Sequence, residues 1–417
     1  MLRPTTLALI LAGGRVDELN VLTYYRPKSA VPFGGFGRVI DFALSNLMNS
    51  GIEQVGILSQ YRSYSLINHI GTGAAWDMLG RYRHISILPP YLGSEKNDWY
   101  KGSADAIFKN LDYVEYHRPE EIFILSGDHI YRMDYQEMLD YHRHKDADLT
   151  IAFLRVPRDK AHRFGVAALN DEDGERGGRV EQYWEKPEEP ESDWASLTVL
   201  CFKPEVLYTA LRENQSSSSF EFGADIIPML VRQNYRVYGY KFSGYWGYTK
   251  TVEEYWQSNM DLLGDAPKIN LEEWGFRTNL DHRRIRDFQP LMTGEATSIS
   301  NSLVYNGCII EGEVKNSIIF PGVHVKKGAT VENSVIFFNN KIHEGCRFNK
   351  VVADVNSSYG TNVVIGSESG SAAGNVTVMG WNNHVPRQTR IEEGATIYPN
   401  LTESRWPSIV TGGEVLR

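Results

Sequence analysis

The C-terminal part of this chain carries an apolar repeat with a period of six residues, which constrains the fold more than any other feature. One series at this spacing comprises Ile319, Val325, Val331 and Phe337. A second, in phase with Gly322 and Gly328, comprises Val323, Ala329 and Val335. Such hexapeptide repeats are typical of a parallel β-helix, in which each repeat supplies one short strand. Because one coil cannot bury its own apolar face, several must stack. We assign residues 296–417 to this domain and predict that 366–374 is a glycine-rich loop interrupting it.

Residues 1–262 follow a different pattern, in which short apolar runs alternate with segments of helical spacing. The runs include residues 55–58, 122–125 and 149–153, and the helical segments include 102–117 and 135–144. This alternation predicts an α/β domain built on a mostly parallel sheet. Asp134 precedes the second helical segment and is predicted to be its N-cap. Residues 263–295, which are polar and rich in arginine, are predicted to link the two domains.

The first apolar run of the chain ends in a pair of glycines that indicates an anion-binding loop. Residues 7–12 predict a buried strand, and Gly13 and Gly14 follow it directly. A tight turn there points backbone N–H groups toward a phosphate. In open α/β sheets, moreover, ligands bind beyond the carboxyl ends of the strands. Asp17 and Glu18 follow closely, however, and their carboxylates repel a phosphate group. The sequence therefore predicts a nucleotide site with an unfavourable charge beside it.

The composition argues against several classes of protein. The 417 residues include 43 Lys and Arg against 52 Asp and Glu, a net charge of −9, so we expect no nucleic-acid binding. The first apolar run leads into glycines rather than a cleavage site, and we predict neither a signal peptide nor a membrane span. Cys201, Cys308 and Cys346 are too far apart to indicate a disulfide framework or a metal cluster. We therefore expect a cytoplasmic protein that does not bind membranes.

Further blocks of sequence extend along nearly the whole chain. Residues 26–35 read Arg-Pro-Lys-Ser-Ala-Val-Pro-Phe-Gly-Gly, 126–131 read Ser-Gly-Asp-His-Ile-Tyr, and 185–187 read Glu-Lys-Pro. The other blocks are residues 38–42, 44–46, 49–52, 59–61, 99–106, 164–166 and 255–262. In this order they resemble the bacterial ADP-glucose pyrophosphorylases, also called glucose-1-phosphate adenylyltransferases. The resemblance implies a Rossmann-like, mostly parallel nucleotidyltransferase sheet followed by a left-handed parallel β-helix of hexapeptide repeats.

The resemblance also implies a reaction, in which ATP and glucose 1-phosphate form ADP-glucose and pyrophosphate. The sugar phosphate attacks the α-phosphorus in line and Mg²⁺ neutralises charge, so catalysis rests on positioning and electrostatics. Lys28 matches a catalytic cation near the phosphates, and Asp128 matches a catalytic carboxylate that holds the metal. The positions that match nucleotide-binding residues are Gly13, Gly14, Gln60, Gly102, Ser103 and Asp105. Those that match sugar-phosphate-binding residues are Tyr100, Gly165, Glu185, Lys186 and Ser196.

The opening loop departs from the family pattern. After the position of Arg15 the family has glycine, a small residue and arginine, whereas this chain has Val16, Asp17 and Glu18. Val16 is β-branched and disfavours the left-handed backbone that glycine allows. Glu18 puts a carboxylate where a guanidinium would neutralise pyrophosphate. Reversing that charge is expected to cost several kcal/mol of transition-state stabilisation, on the order of a thousandfold in rate.

A second departure affects the metal. The family pattern Tyr-Trp-Arg-Asp-Val-Gly-Thr aligns with residues 245–251, which here read Tyr-Trp-Gly-Tyr-Thr-Lys-Thr. Tyr248 therefore takes the place of the second metal carboxylate. A phenol with a pKa of about 10 stays neutral at pH 7 and is a poor ligand for Mg²⁺. This substitution leaves Asp128 to hold the ion almost alone.

The two departures, together with the retained sugar-side motifs, favour a weakly active or non-catalytic regulatory or structural subunit of glycogen biosynthesis. One alternative is a fully active enzyme, in which Arg15, Lys250 or another cation replaces the missing groups. Another is a nucleotidyltransferase or sensor for a different sugar phosphate. The expected ligands are ATP, glucose 1-phosphate or ADP-glucose, with Mg²⁺ if the chain is active. The resemblance also implies a homo- or hetero-tetramer with an active paralogue, and allosteric effectors bound between the domains.

Overall fold

The N-terminal part of the chain is an α/β domain whose apolar runs form strands. The computed structural model describes residues 5–14, 17–90, 99–170, 172–367 and 374–417. The strands of this domain are β1 (Thr6–Leu11), β2 (Pro32–Phe33), β3 (Gly37–Arg38), β4 (Gln54–Leu58), β5 (His84–Leu88), β6 (Glu121–Ser126), β7 (Ile130–Tyr131), β8 (Leu149–Arg155), β9 (Gly165–Leu169), β10 (Gly177–Glu185), β11 (Trp194–Phe202), β12 (Val237–Lys241) and β13 (Trp246–Gly247). The runs 55–58, 122–125 and 149–153 lie in β4, β6 and β8, as predicted.

Nine of these strands form the central sheet, in the order β5-β4-β1-β6-β11-β8-β12-β10-β9. Strands β5, β4, β1 and β6 are parallel neighbours, and β8 and β12 form another parallel pair. Strand β11 runs antiparallel to β6 and β8, and β10 runs antiparallel to β12 and β9. Only β10 and β11 run against the other seven strands, so the sheet is mostly parallel, which confirms the prediction. The carboxyl ends of β1, β4 and β6 consequently lie at one edge, where α/β sheets bind their ligands.

The described part of this domain contains eight α-helices. They are α1 (Ile40–Asn49), α2 (Tyr64–Ile70), α3 (Ser103–Phe108), α4 (Leu111–His117), α5 (Tyr135–His144), α6 (Pro204–Asn214), α7 (Ile227–Arg232) and α8 (Val252–Met260). Asp134 caps α5 as predicted, since its side chain accepts a hydrogen bond of 2.9 Å from the Gln136 N–H. The predicted segment 102–117 is divided into α3 and α4, because Asn110 has a non-helical φ of −115°.

The described residues of 292–367 and 374–416 form a parallel β-helix with three faces. The first face comprises Met292–Thr293, Ile309–Ile310, His324–Val325, Lys341–Ile342, Ser358–Tyr359 and His384–Val385. The second comprises Ser298–Ser300, Glu313–Lys315, Thr330–Glu332, Arg347–Asn349, Val364–Gly366, Arg390–Ile391 and Ile409–Val410. The third comprises Leu303–Val304, Ile318–Ile319, Val335–Ile336, Val351–Ala353, Thr377–Met379, Thr396–Ile397 and Val415–Leu416. Parallel pairing between successive coils is consistent with the predicted left-handed β-helix.

The hexapeptide repeats form the interior of this β-helix. Every apolar residue of the two six-residue series is fully buried. At one corner the backbone turns through asparagines in the left-handed region, with a φ of 47° at Asn316 and 48° at Asn333. Asn333 in turn donates a side-chain hydrogen bond of 2.9 Å to Asn349 of the next coil. Asparagine tolerates positive φ better than most residues do. The stacked asparagines therefore explain how the coil turns at a corner that has no glycine.

A buried ion pair joins the two domains. The Arg26 guanidinium donates hydrogen bonds of 2.9 and 3.1 Å to the two carboxylate oxygens of Asp354 in the β-helix, and both side chains are 2% exposed. The indole N–H of Trp256 in α8 also donates a hydrogen bond of 2.7 Å to the Asn333 carbonyl. Separating Arg26 from Asp354 would leave an uncompensated buried charge, which is strongly unfavourable. The ion pair therefore holds the segment around residue 26 against the β-helix.

Some predictions fall at the margins of what the structure describes. The predicted loop 366–374 lies mostly outside the described residues, which omit 368–373. The boundaries at 262 and 295 stay predictions, with α8 ending at Met260 and the first β-helix strand beginning at Met292.

Across the described ranges, no helix combines the length and the apolar character needed to cross a membrane. All three cysteines of the chain are free and buried.

Replacing Asp354 with alanine is expected to lower the free energy of unfolding by about 3 to 5 kcal/mol, because it leaves the Arg26 guanidinium buried without its carboxylate. Guanidinium denaturation followed by tryptophan fluorescence measures this loss. The matched control is Glu311→Ala, which removes the carboxylate 3.1 Å from the Lys326 ammonium at the surface. That change is expected to cost less than about 1 kcal/mol. Equal losses in the two variants would contradict a special role for the buried pair.

His142 is a buried titratable group between α5 and the sheet. Its Nδ1 lies 2.8 Å from the Thr150 hydroxyl of β8, and the residue is 2% exposed. Burial lowers the pKa of His142 to about 4, and the nearby Lys203 ammonium acts in the same direction. Since the pKa in the unfolded chain is about 6.5, the contribution of neutral His142 to stability is fully present above pH 6.5. It is lost as the pH falls toward 4.

We therefore expect acidification from about pH 7 to about pH 4.5 to remove on the order of 2 kcal/mol of stability through His142. The variant His142→Gln keeps a hydrogen-bonding side chain but does not titrate. It should be less stable than the wild type at pH 7 and should lose less stability on acidification. Urea denaturation at both pH values measures the difference. If the two proteins lose the same free energy, His142 is not the group responsible.

Candidate active site

Two adjoining clefts open at the carboxyl ends of β1, β4 and β6. The first has a volume of about 420 Å³ and the second about 400 Å³, within the range typical of ligand pockets. The predicted site residues that line the first cleft are Gly13, Gly14, Lys28, Gln60, Tyr100, Gly102, Ser103 and Asp128. Those that line the second are Ser103, Gly165, Glu185, Lys186, Ser196 and Tyr248. Leu11, Ser103 and Glu221 border both clefts, so one ligand is able to span them.

The glycine loop begins one residue after β1 ends. The Gly13 carbonyl accepts a hydrogen bond of 3.3 Å from the Tyr61 N–H, and the Ser29 hydroxyl donates one of 3.1 Å to the Ala12 carbonyl. A Cβ at Gly13 would lie 2.9 Å from the Gln60 backbone nitrogen, closer than packing allows. Glycine at this position is therefore required for the close approach of two loops that line the first cleft.

Gln60 and Tyr100 hold each other in the first cleft. The Gln60 side-chain oxygen accepts a hydrogen bond of 2.5 Å from the Tyr100 N–H, and its amide NH₂ lies 3.5 Å from the Tyr100 carbonyl. Gln60 thus both accepts and donates, the capacity that recognition of an adenine edge requires. The two residues lie together among the predicted nucleotide-binding positions. The roles of Gln60 at the base and Tyr100 at the sugar phosphate stay predictions.

Ser103 begins α3 and is bonded to Glu221 across the cleft. The Ser103 N–H and hydroxyl donate hydrogen bonds of 3.1 and 2.5 Å to one Glu221 carboxylate oxygen. A Cβ at Gly102 would collide with the Phe220 carbonyl, so only glycine permits this approach. Asp105, in contrast, is buried and lines neither cleft. Its carboxylate accepts a hydrogen bond of 2.8 Å from the Lys101 N–H and so stabilises the start of α3.

Lys28 and Asp128 form an ion pair in the first cleft. The Lys28 ammonium lies 3.1 Å from an Asp128 oxygen, donates a hydrogen bond of 2.7 Å to the Tyr248 carbonyl, and belongs to a residue only 2% exposed. Burial alone would raise the pKa of Asp128, but the Lys28 charge and a hydrogen bond from the Ser126 hydroxyl prevail and lower it to about 2. Asp128 is therefore ionised at neutral pH, and its charge is compensated within the protein.

Tyr248 belongs to an aromatic cluster between the two clefts. Its ring centroid lies 4.8 Å from that of Phe164 and 5.4 Å from that of Trp246. The Lys28 ammonium lies 5.1 Å from the same centroid, a cation–π distance. Burial, together with the Asp128 charge, raises the pKa of Tyr248 to about 12. The phenol is thus neutral at physiological pH and supplies no negative charge in place of a carboxylate.

The groups around Asp128 do not form a ready site for Mg²⁺. One carboxylate oxygen faces the Lys28 ammonium and the other accepts a hydrogen bond from the Ser126 hydroxyl. In the described part of the chain, no group of three or more His, Cys, Asp or Glu side chains is placed to hold a metal ion. Protein-bound Mg²⁺ relies on available carboxylates together with substrate phosphates. Because Asp128 is already paired and Tyr248 is neutral, this donor set does not fit a resident Mg²⁺ ion.

Glu18, the unexpected carboxylate of the opening loop, is paired with Lys250. The Lys250 ammonium lies 3.1 Å from a Glu18 oxygen. Backbone hydrogen bonding lowers the pKa of Glu18, with further lowering by the charges of Lys250 and Lys28. Asp17 begins the irregular turn that contains Glu18. Val16, and Arg15 before it, lie outside the described residues. The structure therefore places a neutralised ion pair where the family pattern has a single arginine.

The predicted sugar-side residues converge on the second cleft. The Lys186 ammonium lies 3.0 Å from a Glu185 oxygen, and the Tyr183 hydroxyl donates a hydrogen bond of 3.2 Å to the same carboxylate. Gly165 is the partner of Glu185 where β9 and β10 pair. Ser196 lies where the β11 register shifts, and its hydroxyl accepts a hydrogen bond of 3.3 Å from the Thr198 N–H. The structure thus brings these four predicted residues together, and their ligand roles stay predictions.

Several residues of the clefts are not apparent from sequence patterns. Glu221 borders both clefts, and Arg163 lines the second while lying 2.5 Å from the Glu254 carboxylate. His129 belongs to the block 126–131, which indicates no role for it; it lines the second cleft, where burial lowers its pKa to about 4 and keeps it neutral. Because Arg163 and Glu254 are distant in the sequence, no local pattern indicates their contact.

Comparisons with known proteins agree with this architecture. Residues 7–264 match the nucleotidyl transferase family, and residues 288–380 match the GlmU-like C-terminal hexapeptide family. A glucose-1-phosphate adenylyltransferase of Desulfitobacterium hafniense (strain Y51) is 40% identical over 401 residues, covering 95% of this chain and 99% of the relative. One of Acetivibrio thermocellus is 38% identical over 420 residues, covering 97% and 95%. One of Clostridium perfringens (strain 13 / Type A) is 44% identical over 339 residues, covering 80% and 84%.

These similarities include both domains and the segments that line the two clefts. Nucleotidyltransferases generally use a divalent metal such as Mg²⁺, and the environment of Asp128 and Tyr248 departs from that rule. The fold, the paired clefts and the length of the matches agree with one another. The chain therefore belongs to the glucose-1-phosphate adenylyltransferase family of nucleotidyltransferases.

Proposed function

We propose that this chain binds ligands of its family but catalyses their reaction weakly or not at all, and acts as a regulatory or structural subunit in ADP-glucose synthesis for glycogen. Its ligands on this proposal are ATP, glucose 1-phosphate or ADP-glucose. It works in the cytoplasm under allosteric control, within a homotetramer or within a heterotetramer that includes an active paralogue. The names of its relatives support the reaction, and three free, buried cysteines agree with a reducing compartment.

The ion pair between Glu18 and Lys250 is the observation that carries this proposal. Adenylyl transfer needs cations that neutralise the charge developing on the leaving pyrophosphate. The Lys250 ammonium lies 3.1 Å from the Glu18 carboxylate, so its charge is already compensated. Asp128 compensates Lys28 at the same distance. To serve a leaving group, either lysine would have to leave a carboxylate that remains beside the developing negative charge.

The neutral Tyr248 phenol adds to this effect. A second carboxylate at position 248 would help to hold Mg²⁺ against the phosphates, whereas a phenol with a pKa of about 12 does not. Its ring also fills space between Phe164 and Trp246. The second metal ligand is absent and the loop charge is reversed. Two electrostatic contributions to adenylyl transfer, the metal ion and the loop cation, are therefore both reduced. On this proposal the first cleft binds the base and the second binds the sugar, through residues that match the family at other positions.

The double variant Glu18→Arg, Tyr248→Asp is expected to gain activity over the wild type. It restores a cation for pyrophosphate and a carboxylate for Mg²⁺, and we expect a gain of at least tenfold, up to on the order of a thousandfold. The measurement is Mg²⁺-dependent pyrophosphate release from ATP and glucose 1-phosphate by the purified full-length chain. Circular dichroism melting curves establish that both proteins fold alike.

The matched control is Glu18→Asp, Tyr248→Phe, which keeps a carboxylate at position 18 and a neutral ring at position 248 and so restores neither function. It is expected to stay as inactive as the wild type. Ordinary turnover by the wild type would overturn the proposal and indicate a fully active enzyme. Arg15→Ala and Lys250→Ala would then show, by their loss of rate, which cation serves the phosphates.

Replacing Gly223 with alanine is expected to weaken binding of glucose 1-phosphate by about tenfold, on the order of 1.4 kcal/mol. A Cβ at Gly223 would collide with the Glu185 carboxylate and displace it within the second cleft. Calorimetry with glucose 1-phosphate measures the effect, and nucleotide affinity should not change. Adding Glu185→Asp shortens the displaced side chain and should recover part of the affinity. Unchanged sugar-phosphate binding would contradict the role of Glu185.

A further inference from the structure

The charged side chains that line the two clefts balance in each of them. In the first cleft, Lys28 and Lys101 face Asp128 and Glu221. In the second, Arg163 and Lys186 face Glu185 and Glu221, while His129 is neutral. Because Glu221 is shared, the described residues that line the joined clefts comprise four cations against three carboxylates, a surplus of one positive charge. A highly charged phosphate chain gains little from such a lining, since each cation that it attracts has a carboxylate close by.

The Glu18 carboxylate acts electrostatically on residues of both clefts. Its charge acts on Lys28, which lines the first cleft, and on Arg163 and Tyr248, which line the second. Lys250 compensates Glu18 at 3.1 Å. In the alignment with the family pattern, Lys250 stands where that pattern has glycine. Both the carboxylate and its counter-charge thus depart from the family pattern, and the Lys28 charge acts on Glu18.

A nucleoside diphosphate sugar suits these clefts better than a nucleoside triphosphate does. Its base and sugar are able to fill the first and second clefts, which meet at Leu11, Ser103 and Glu221. Its diphosphate carries fewer negative charges than a triphosphate. The additional phosphate of a triphosphate brings no sugar to the second cleft and adds charge close to the Glu18 carboxylate. Both differences favour the sugar nucleotide.

The same geometry removes the need for a metal in binding. The Lys28 ammonium is enclosed in the first cleft, at a fixed position 3.1 Å from Asp128, and Lys101 lines the same cleft, so a diphosphate meets two protein cations there. The environment of Asp128 does not fit a resident Mg²⁺ ion, as shown by its Lys28 and Ser126 partners. Affinity for a ligand held in this way depends on protein charges rather than on the divalent cation concentration.

We propose that the joined clefts bind a nucleoside diphosphate sugar without Mg²⁺ in preference to a nucleoside triphosphate, and that the Glu18–Lys250 ion pair sets this preference. The inference rests on the proposed function and names its ligand class. The chain is then a receptor for the product of the family reaction. Such a subunit reports the product level to its assembly instead of making the product.

Calorimetric titration of the full-length chain with ADP-glucose and with ATP, each in Mg²⁺ and in EDTA, tests this proposal. The wild type should bind ADP-glucose at least about tenfold more tightly than ATP in EDTA, and Mg²⁺ should change the affinity for ADP-glucose by less than about threefold. Equal affinities for the two nucleotides, or ADP-glucose binding that requires Mg²⁺, would overturn it.

A charge-swap series tests the ion pair. Glu18→Lys should raise ATP affinity about tenfold or more, because it replaces a carboxylate with an ammonium beside the phosphates. The double variant Glu18→Lys, Lys250→Glu restores a pair in the opposite order and should return the preference to within about threefold of the wild type. If the double variant behaves like Glu18→Lys alone, the pair does not set the preference.

Glu311→Lys is the matched control for this series. Glu311 lies 3.1 Å from Lys326 in the β-helix, with a side-chain exposure of 38% against 47% for Glu18. It should leave both affinities unchanged, and melting curves check that every variant is folded. Pyrophosphate release measured on the same samples separates two failures. Ordinary turnover by the wild type overturns the proposed function, whereas tight ATP binding without turnover overturns the ligand preference alone.

Discussion

The buried ion pair between Arg26 and Asp354 holds the segment that carries the central cation of the site. Arg26 is bound by both carboxylate oxygens of a β-helix residue, which fixes the chain two residues before Lys28. Lys28 then places its ammonium between the Asp128 carboxylate and the Tyr248 carbonyl. A cation held by two anchored neighbours loses little further freedom when a ligand binds. The β-helix is thus part of how the clefts are built, in addition to any role that it has in assembly.

The parts of the fold that the sequence predicts correctly are those specified by local patterns. A six-residue apolar period is visible in any short stretch of the β-helix, and every residue of the two series is buried. Asp134 caps α5 because capping involves only neighbouring backbone groups. The division of 102–117 at Asn110, and the reversed directions of β10 and β11, depend on packing between distant segments. Periodicity contains no information about such contacts.

The candidate site shows the same division between local and distant information. Motif blocks locate the glycine loop, Gln60 and the sugar-side residues, and the structure brings these into adjoining clefts. Sequence reasoning treats Glu18 as an unpaired carboxylate and Lys250 as a free replacement cation. In the structure each is the partner of the other. Charges far apart in a sequence receive their partners only from the tertiary fold, so their effect on a ligand cannot be assessed one residue at a time.

The two departures from the family pattern, at Glu18 and Tyr248, also change how the charges of the site are compensated in the folded chain. A site built to bind a triphosphate concentrates charges that repel one another until ligand and metal arrive, and such preorganisation lowers stability. Here Glu18 is compensated by Lys250, Asp128 by Lys28, and Tyr248 is neutral within an aromatic cluster. With its charges satisfied internally, the site keeps its shape without ligand. A ligand must then replace contacts of similar strength, which agrees with the proposed role of the chain as a binding subunit.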